Sequence, residues 1–162
     1  RFCNCQFYFL STLSLYQSKY LASDLIWRNT RFNSNSIFSI TTGKEWNLRT
    51  KKASTIAIDL KITNYGGVRV TPINLPQSTI RRTTVLDNNR IYEDKLPNIF
   101  RIDLQMQWKI NYTKMTGSFI AGVQNLTNRK NPISQSYDPV MSGIKYNYLL
   151  GLIPVIGYKI DF

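Results

Sequence analysis

The stretch FRIDLQMQWKI, residues 100–110, constrains the fold more than any other part of this sequence. Apolar residues occupy every second position, and charged or amide residues occupy the positions between them. A helix would need apolar spacings of three and four residues, whereas a strand presents successive side chains to opposite faces. The stretch therefore predicts a strand whose apolar row is Phe100, Ile102, Leu104, Met106, Trp108 and Ile110.

The same alternation predicts five more strands. They are expected over residues 6–20, 31–47, 54–71, 115–126 and 143–162. In 54–71 the apolar row is Ile56, Ile58, Leu60 and Ile62. Gly66-Gly67 in that strand indicates either a tight turn or a place where a partner backbone approaches or bulges, and a bulge is favoured.

The predicted connections alternate in length. They cover residues 21–30, 48–53, 72–95, 111–114 and 127–142, so long segments at one end of the strands alternate with short turns at the other. Loops longer than about 12 residues are uncommon in compact domains and are usually functional. Short turns at one end and long loops at the other are typical of an outer-membrane barrel.

Two environments are compatible with such strands. In a soluble sandwich or small barrel the apolar face is the core, whereas in a membrane barrel it faces lipid and the polar face lines the lumen. The predicted strands are long, and aromatic residues lie near their ends: Trp46, Trp108 and Phe162 at one end, Tyr146 and Tyr148 towards the other. Both features favour the membrane barrel, in which aromatic girdles lie at the two interfaces.

The charged residues of the strands favour the same choice. A water-filled lumen tolerates unpaired charges, whereas a dry core does not. The predicted lipid-facing residues are Ile56, Ile58, Leu60, Ile62, Phe100, Ile102, Leu104, Met106 and Trp108. The predicted lumen-facing residues are Asp59, Lys61, Arg69, Arg101, Asp103 and Lys109.

Six strands are too few to close a membrane barrel, because the known minimum is about eight. An open sheet edge in lipid leaves backbone groups unpaired at several kcal/mol each. We therefore expect an all-β, antiparallel, up-and-down arrangement of about six long strands that belongs to a larger transmembrane barrel.

The net charge of the chain raises a different possibility. The sequence has 21 Lys and Arg against 9 Asp and Glu, a formal charge of +12, and no His. A nucleic-acid surface would need a basic stripe with aromatic stacking, whereas here the basic residues are spread over strand faces, turns and loops. Nucleic acid is therefore not expected as a partner, although a soluble basic β-domain that binds nucleic acid or polysaccharide remains the alternative.

Catalytic and metal-binding patterns are not visible in the sequence. Without His there is no histidine triad or imidazole base, and no phosphate-binding loop occurs. Cys3 and Cys5 form a C-x-C pair without His, which is a poor metal site. No enzyme activity, cofactor or metal is predicted. In the long loop 72–95, Arg81, Arg82 and Arg90 either contact an anionic ligand or are simply solvated.

The order and spacing of several stretches resemble the carboxy-terminal part of TonB-dependent outer-membrane receptors of the Bacteroidetes type. The matching stretches are LSLYQSKY (13–20), NTRFN (29–33), TTGKEW (41–46), NYGGVRVTPI (64–73), YEDKLPNIFRIDLQMQW (92–108), GVQNLTNRKN (122–131), SYDPV (136–140) and YLLGLIPVIGYKIDF (148–162). They cover most of the sequence from about residue 6 onward.

This resemblance implies a 22-stranded barrel around an amino-terminal plug in the bacterial outer membrane. Such receptors import scarce nutrients, such as iron chelates, vitamins or glycans, with energy from the TonB complex. Neither plug nor TonB box is recognisable in this sequence, so residues 1–162 are expected to be the carboxy-terminal part of the barrel domain. The implied partners are outer-membrane lipid, the barrel-assembly machinery, the TonB complex through the amino-terminal region, and a small-molecule or glycan ligand.

Outer-membrane barrels also resemble one another in a terminal assembly signal, Gly-x-x-apolar-x-aromatic. Gly157, Ile160 and Phe162 fit this pattern, and Tyr158 continues the apolar row. Ile156 stands where a polar residue is expected. The resemblance implies that the assembly machinery binds this last strand.

Overall fold

The computed structural model describes residues 6–48 and 53–162. Cys3, Cys5 and most of the predicted turn 48–53 lie outside this part of the chain. The fold is all-β and antiparallel, as predicted. The described elements are β1 (Phe7–Leu15), β2 (Lys19–Leu21), β3 (Trp27–Asn29), β4 (Ser36–Leu48), β5 (Ser54–Tyr65), β6 (Arg69–Val70), α1 (Leu75–Arg81), a 3-10 helix (Asn88–Arg90), β7 (Asp94–Lys95), β8 (Ile99–Asn111), β9 (Thr116–Gln124), β10 (Pro132–Asp138), β11 (Gly143–Tyr148) and β12 (Ile153–Asp161).

Six of these strands form one sheet in the order β1-β4-β5-β8-β9-β12. Each strand is antiparallel to its neighbours, and the order in space follows the order in the chain. The sheet is open within the described residues, with β1 and β12 as its edges. The remaining strands form three separate two-stranded ribbons, β2-β3, β6-β7 and β10-β11.

The register of the sheet places the apolar residues of neighbouring strands beside one another. Ile62 of β5 lies between Ile40 of β4 and Ile102 of β8. Because the side-chain period of a strand is two, this register places all apolar rows on one side of the sheet. We name that side the apolar face and the opposite side, which carries Asp59 and Lys61, the polar face.

The prediction of one continuous strand over residues 143–162 is wrong. The structure divides it into β11, which pairs with β10, and β12, which pairs with β9. Five of the six main strands are also shorter than predicted, at 9 to 13 residues, whereas β8, with 13 residues, extends slightly beyond the predicted stretch 100–110. Alternation continues through both halves of 143–162, so it does not reveal that the chain changes partner.

The favoured bulge at Gly66-Gly67 is also wrong, because β5 ends at Tyr65 and keeps an uninterrupted register with β8. The glycines are instead a place of close backbone approach. A Cβ on Gly66 would lie 1.8 Å from the carbonyl oxygen of Ser34, and one on Gly67 would lie 1.6 Å from that of Leu96. Only glycine leaves room for both neighbouring segments.

The connections alternate between short and long, as predicted. At one end of the sheet, residues 112–115 join β8 to β9. At the other end are three long segments, residues 16–35, 66–98 and 125–152, which contain the ribbons and α1. We name these three segments the loop layer.

The buried apolar side chains lie mainly in the loop layer. Among the described residues, Val68, Ile73, Leu96 and Tyr137 are buried there, whereas the six-stranded sheet has two buried apolar residues, Ala57 and, at the loop-layer end of β8, Ile99. The loop layer therefore has a core of its own, to which Ile99 belongs, and no second layer of the described residues covers either face of the sheet.

The helix α1 was not predicted; it lies within residues 72–95, which were expected to form a long loop, and it contains Pro76. The structure places this proline in the first turn of α1, where a missing N–H costs nothing. Asn74 caps the helix and accepts a hydrogen bond from the backbone N–H of Gln77. Across residues 6–48 and 53–162, helices with the length and apolar content needed to cross a membrane are absent.

Candidate functional site

The polar face is organised around a row that crosses all six strands. In register order this row is Tyr8, Gly43, Asp59, Gln105, Gly122 and Val155. The phenol of Tyr8 passes over Gly43 and donates a hydrogen bond to Oδ1 of Asp59. Three adjacent strands are thus connected through side chains as well as through the backbone.

A second group of polar side chains begins two residues nearer the loop layer on each strand. Arg101 forms an ion pair with Asp103 at 2.9 Å, and Oδ1 of Asp103 accepts a hydrogen bond from the backbone N–H of Asn125 at 3.0 Å. Lys61 lies directly opposite Asp103 in the register and is exposed. The group therefore presents one paired and one exposed cation.

These two groups line an open cavity of about 360 Å³ on the polar face. Tyr8, Thr41 and Val155 contribute to the lining from β1, β4 and β12, so all six strands take part. The cavity is open to solvent, and its lining includes Gly122 of β9, which lies between Gln105 and Val155 in the register.

The apolar face carries a band of aromatic side chains near the short turns. Trp46, Ile56, Trp108, Phe119 and Tyr158 are successive partners across five strands. The four aromatic side chains in this row are between 39% and 66% exposed. Aromatic side chains therefore lie at one level on four strands of the sheet, with Ile56 of β5 between Trp46 and Trp108.

Cations lie over aromatic rings at both ends of the apolar face. Nζ of Lys44 lies 5.4 Å from the ring centre of Trp46, near the short turns. The guanidinium of Arg129 lies 5.8 Å from the ring centre of Phe100, near the loop layer. Phe100 and Trp108 are eight residues apart on β8, or about 27 Å along the strand at ~3.4 Å per residue.

The structure brings most of the predicted site residues together. Every predicted lipid-facing residue lies on the apolar face, and Asp59, Lys61, Arg101, Asp103 and Lys109 share the polar face. Arg69 does not, because it belongs to the ribbon β6-β7 in the loop layer. Its guanidinium donates hydrogen bonds to the carbonyl oxygens of Asn33 and Glu93 at 3.1 and 3.0 Å.

The three loop arginines differ in their surroundings. Arg81 ends α1, and Arg82 caps it in the left-handed backbone region, with φ of 53°. Arg90 lies in the 3-10 helix and forms an ion pair with Glu93 at 2.6 Å. Its hydrogen bond to Glu93 raises the pKa of the guanidinium, so this charge is already compensated by its own loop.

The last strand presents its predicted signal residues at an open edge. Tyr158 and Ile160 lie on the apolar face, and Gly157 lies on the polar face opposite Ile120. Phe162 is 99% exposed. Within the described residues β9 is the only strand that pairs with β12, so the other edge of β12 is free to accept a strand.

Sequence reasoning overlooked two buried asparagines, one that joins the loop layer to the sheet and one that forms hydrogen bonds within the loop layer. Asn131 exchanges two hydrogen bonds with the backbone of Phe100, at 3.1 and 3.0 Å. Asn125 donates to the carbonyl oxygens of Arg129 and Leu150, at 3.1 and 3.3 Å. Both side chains are almost completely buried, although asparagines in a predicted loop are ordinarily solvated.

A metal centre is not indicated by the part of the chain that the structure describes, which has no group of three or more His, Cys, Asp or Glu residues. The arrangement instead separates an exposed apolar surface from a polar one that contains an open cavity. Neither a protein-family model, nor a curated protein, nor a solved structure matches this chain.

Proposed function

We propose that this chain is the carboxy-terminal part of a TonB-dependent outer-membrane receptor, six strands of a 22-stranded barrel that imports a scarce nutrient. The observation that carries the proposal is the two-sided sheet. Its apolar face is exposed and bordered by an aromatic row, whereas its polar face carries the charged strand side chains other than Lys44.

The exposed apolar face calls for an apolar solvent. Leu104, Met106 and Trp108 on β8 are 37 to 43% exposed, and Ile58 on the neighbouring β5 is 40% exposed. Contiguous apolar patches above a few hundred Å² are rare on soluble monomers. Lipid hydrocarbon satisfies such a face without demanding a second packed layer, and Lys44 reaches towards the aromatic row as interfacial cations do.

The open edges indicate that further strands complete the barrel. β1 and β12 expose unpaired backbone groups, which hydrocarbon tolerates only at a cost of several kcal/mol each. Strands from elsewhere in the same protein, paired with both edges, would remove this cost. The last strand, with Tyr158, Ile160 and Phe162, would then be the segment that the assembly machinery recognises.

The polar face suits the wall of a hydrated lumen. Its charged side chains are partly exposed, and the ion pair and hydrogen bonds between them hold their positions without excluding water. Under this proposal the chain is not an enzyme and does not bind nucleic acid. It forms the wall of a transport pathway, and the loop layer faces the ligand outside the cell.

Spin labels test the orientation of the sheet. Single cysteines would be placed in turn at Asp103, Leu104, Gln105 and Met106 of the complete gene product, in a background from which other cysteines have been removed. In vesicles, oxygen should relax the labels at Leu104 and Met106 more strongly, and a water-soluble nickel chelate should reach those at Asp103 and Gln105. The reverse pattern would contradict the proposed orientation.

Fractionation separates the proposal from the soluble alternative. The complete gene product should require detergent for extraction and should migrate differently before and after heating. A folded monomer that remains in solution without detergent would instead favour the soluble β-domain.

A further inference from the structure

A groove crosses the apolar face at the end where the short turn lies. It has a volume of about 360 Å³ and is lined by Met106, Trp108, Ile110, Gly117, Phe119 and Tyr158. These residues come from three adjacent strands, β8, β9 and β12. Apart from the Tyr158 hydroxyl and the indole N–H of Trp108, their side chains offer only hydrocarbon, sulfur or aromatic surface.

The groove exists because the middle strand has glycine at its floor. Gly117 lies between Ile110 of β8 and Ile160 of β12 in the register. A Cβ added to Gly117 would lie 2.9 Å from Oη of Tyr158, whose ring leans over this position. A larger side chain at position 117 would therefore fill the space between Ile110 and Ile160.

The turn beside the groove carries a lysine. Tyr112, in the turn that joins β8 to β9, also lines the groove. Lys114 in the same turn is exposed, and residues 106–119 contain no Asp or Glu. The nearest acidic residue of the third groove strand, Asp161 opposite Thr116, lies on the polar face and is paired with Lys159 at 2.7 Å, so Lys114 is the cation available to an anion on the apolar side of this turn.

We infer that this groove binds one acyl chain of an anionic phospholipid, with the headgroup phosphate beside Lys114. The inference rests on the proposed function, because the groove meets lipid only if the apolar face does. The chain would enter past Tyr112 and continue towards the bilayer centre between Trp108 and Phe119. The aromatic row marks the headgroup level, so the turn beyond it is where phosphates lie.

Photo-crosslinking to native lipid tests the site, with a control at the same depth. Leu48 and Ile110 belong to one register row through Ser54, but of these two only Ile110 lines the groove. A photoreactive phenylalanine analogue would replace each residue in turn in the complete gene product. After irradiation in vesicles of mixed anionic and zwitterionic phospholipid, adducts would be identified by mass spectrometry.

We expect adducts at Ile110 to exceed those at Leu48 severalfold and to be enriched in the anionic lipid. Gly117→Leu should reduce the yield at Ile110 to that at Leu48, and migration before and after heating would establish that this variant folds. Lys114→Gln, in an exposed turn, should abolish the anionic enrichment while adducts still form.

Equal yields and equal lipid composition at Leu48 and Ile110 would overturn the inference and leave the proposed function intact. An enrichment of anionic lipid that survives Lys114→Gln would overturn the role of this ammonium group. An absence of lipid adducts at both positions in the folded protein would contradict the proposed function itself.

Discussion

The hydroxyl of Tyr8 on β1 donates a hydrogen bond to the carboxylate of Asp59 on β5, although β4 runs between the two strands. The contact is possible because Gly43 is the residue of β4 in the same row. A Cβ on Gly43 would lie 2.3 Å from Oδ1 of Asp59 and 2.5 Å from Cζ of Tyr8. The polar face is therefore held together by a side chain that crosses a strand.

Gly43→Ala should destabilise the protein by about 1–3 kcal/mol, the usual cost of forcing atoms into a filled space. Urea unfolding of the complete protein in vesicles would measure the change. Gly143→Ala is the matched control, because the nearest atom to its added Cβ is 3.6 Å away. In a Tyr8→Ala background, Gly43→Ala should cost less, and an unchanged cost would show that Tyr8 is not the obstacle.

Asn131→Ala should destabilise the attachment of the loop layer to β8. The side chain of Asn131 is buried, and its loss leaves the backbone N–H and carbonyl of Phe100 without the partners that the structure gives them. Unsatisfied buried groups cost about 1–3 kcal/mol, which urea unfolding would detect. Asn147→Ala, which removes an exposed hydrogen bond to Ser134, should be close to neutral.

Tyr137→Ala should loosen the contact between two segments of the loop layer. The buried Tyr137 donates from its hydroxyl to Oγ1 of Thr79 at 3.3 Å and from its backbone N–H to Oγ1 of Thr84 at 2.9 Å. Trypsin cleavage after Arg81 or Arg82 should accelerate severalfold, because removing the ring leaves a cavity beside α1. Val140→Ala, at a residue 92% exposed, should not change the rate.

The Asp24 carboxyl should remain ionised in moderately acidic solution. Its hydrogen bonds with the Arg28 guanidinium, one of them 2.6 Å long, lower its pKa from 3.8 to about 2. Because the folded pKa is depressed, the pair contributes above pH 3.8 and is lost as the pH falls towards 2. NMR titration of the carboxyl carbon would measure this, and Arg28→Gln should return the pKa towards 3.8.

Changes on the apolar side of the last strand should block assembly of the complete barrel. Phe162→Ala and Ile160→Asp remove or charge the edge row that we propose the assembly machinery binds. The folded, heat-modifiable form in membranes should fall severalfold. Asp161→Asn lies on the opposite face and is the control, and normal insertion of both test variants would show that the signal lies elsewhere.

Alternation along the sequence was sufficient to predict the main sheet. In 100–110 every apolar residue lies on one face, because that pattern has a single solution at a period of two. It was insufficient for 143–162, where β11 and β12 both alternate but Leu149 and Leu150 between them leave the strands. Strand partners depend on register and on loop packing, which the alternation of one chain does not contain.

The hydrogen bonds of the buried asparagines in the loop layer could not be predicted from the sequence, for a different reason. Asn125 is buried with φ of 52°, a backbone region that asparagine tolerates well, yet the same residue type at an exposed turn looks identical in sequence. Asn74 before Pro76 was a usable helix-start signal. The pattern was not used, because residues 72–95 were predicted to be a loop throughout.

Under the proposed function, the packed core formed by the loop layer and the start of β8 would reverse the usual distribution of mutational tolerance. In most proteins loops diverge and the sheet interior is constrained. Here, if lipid covers the apolar face, Ile58 could be exchanged for Leu or Val at little cost, since a fluid solvent imposes no shape. Ile99, with 2% of its surface exposed, must instead fit fixed neighbours. Sequence drift in such a protein would therefore be fastest on the membrane wall and slowest beneath its own extracellular surface.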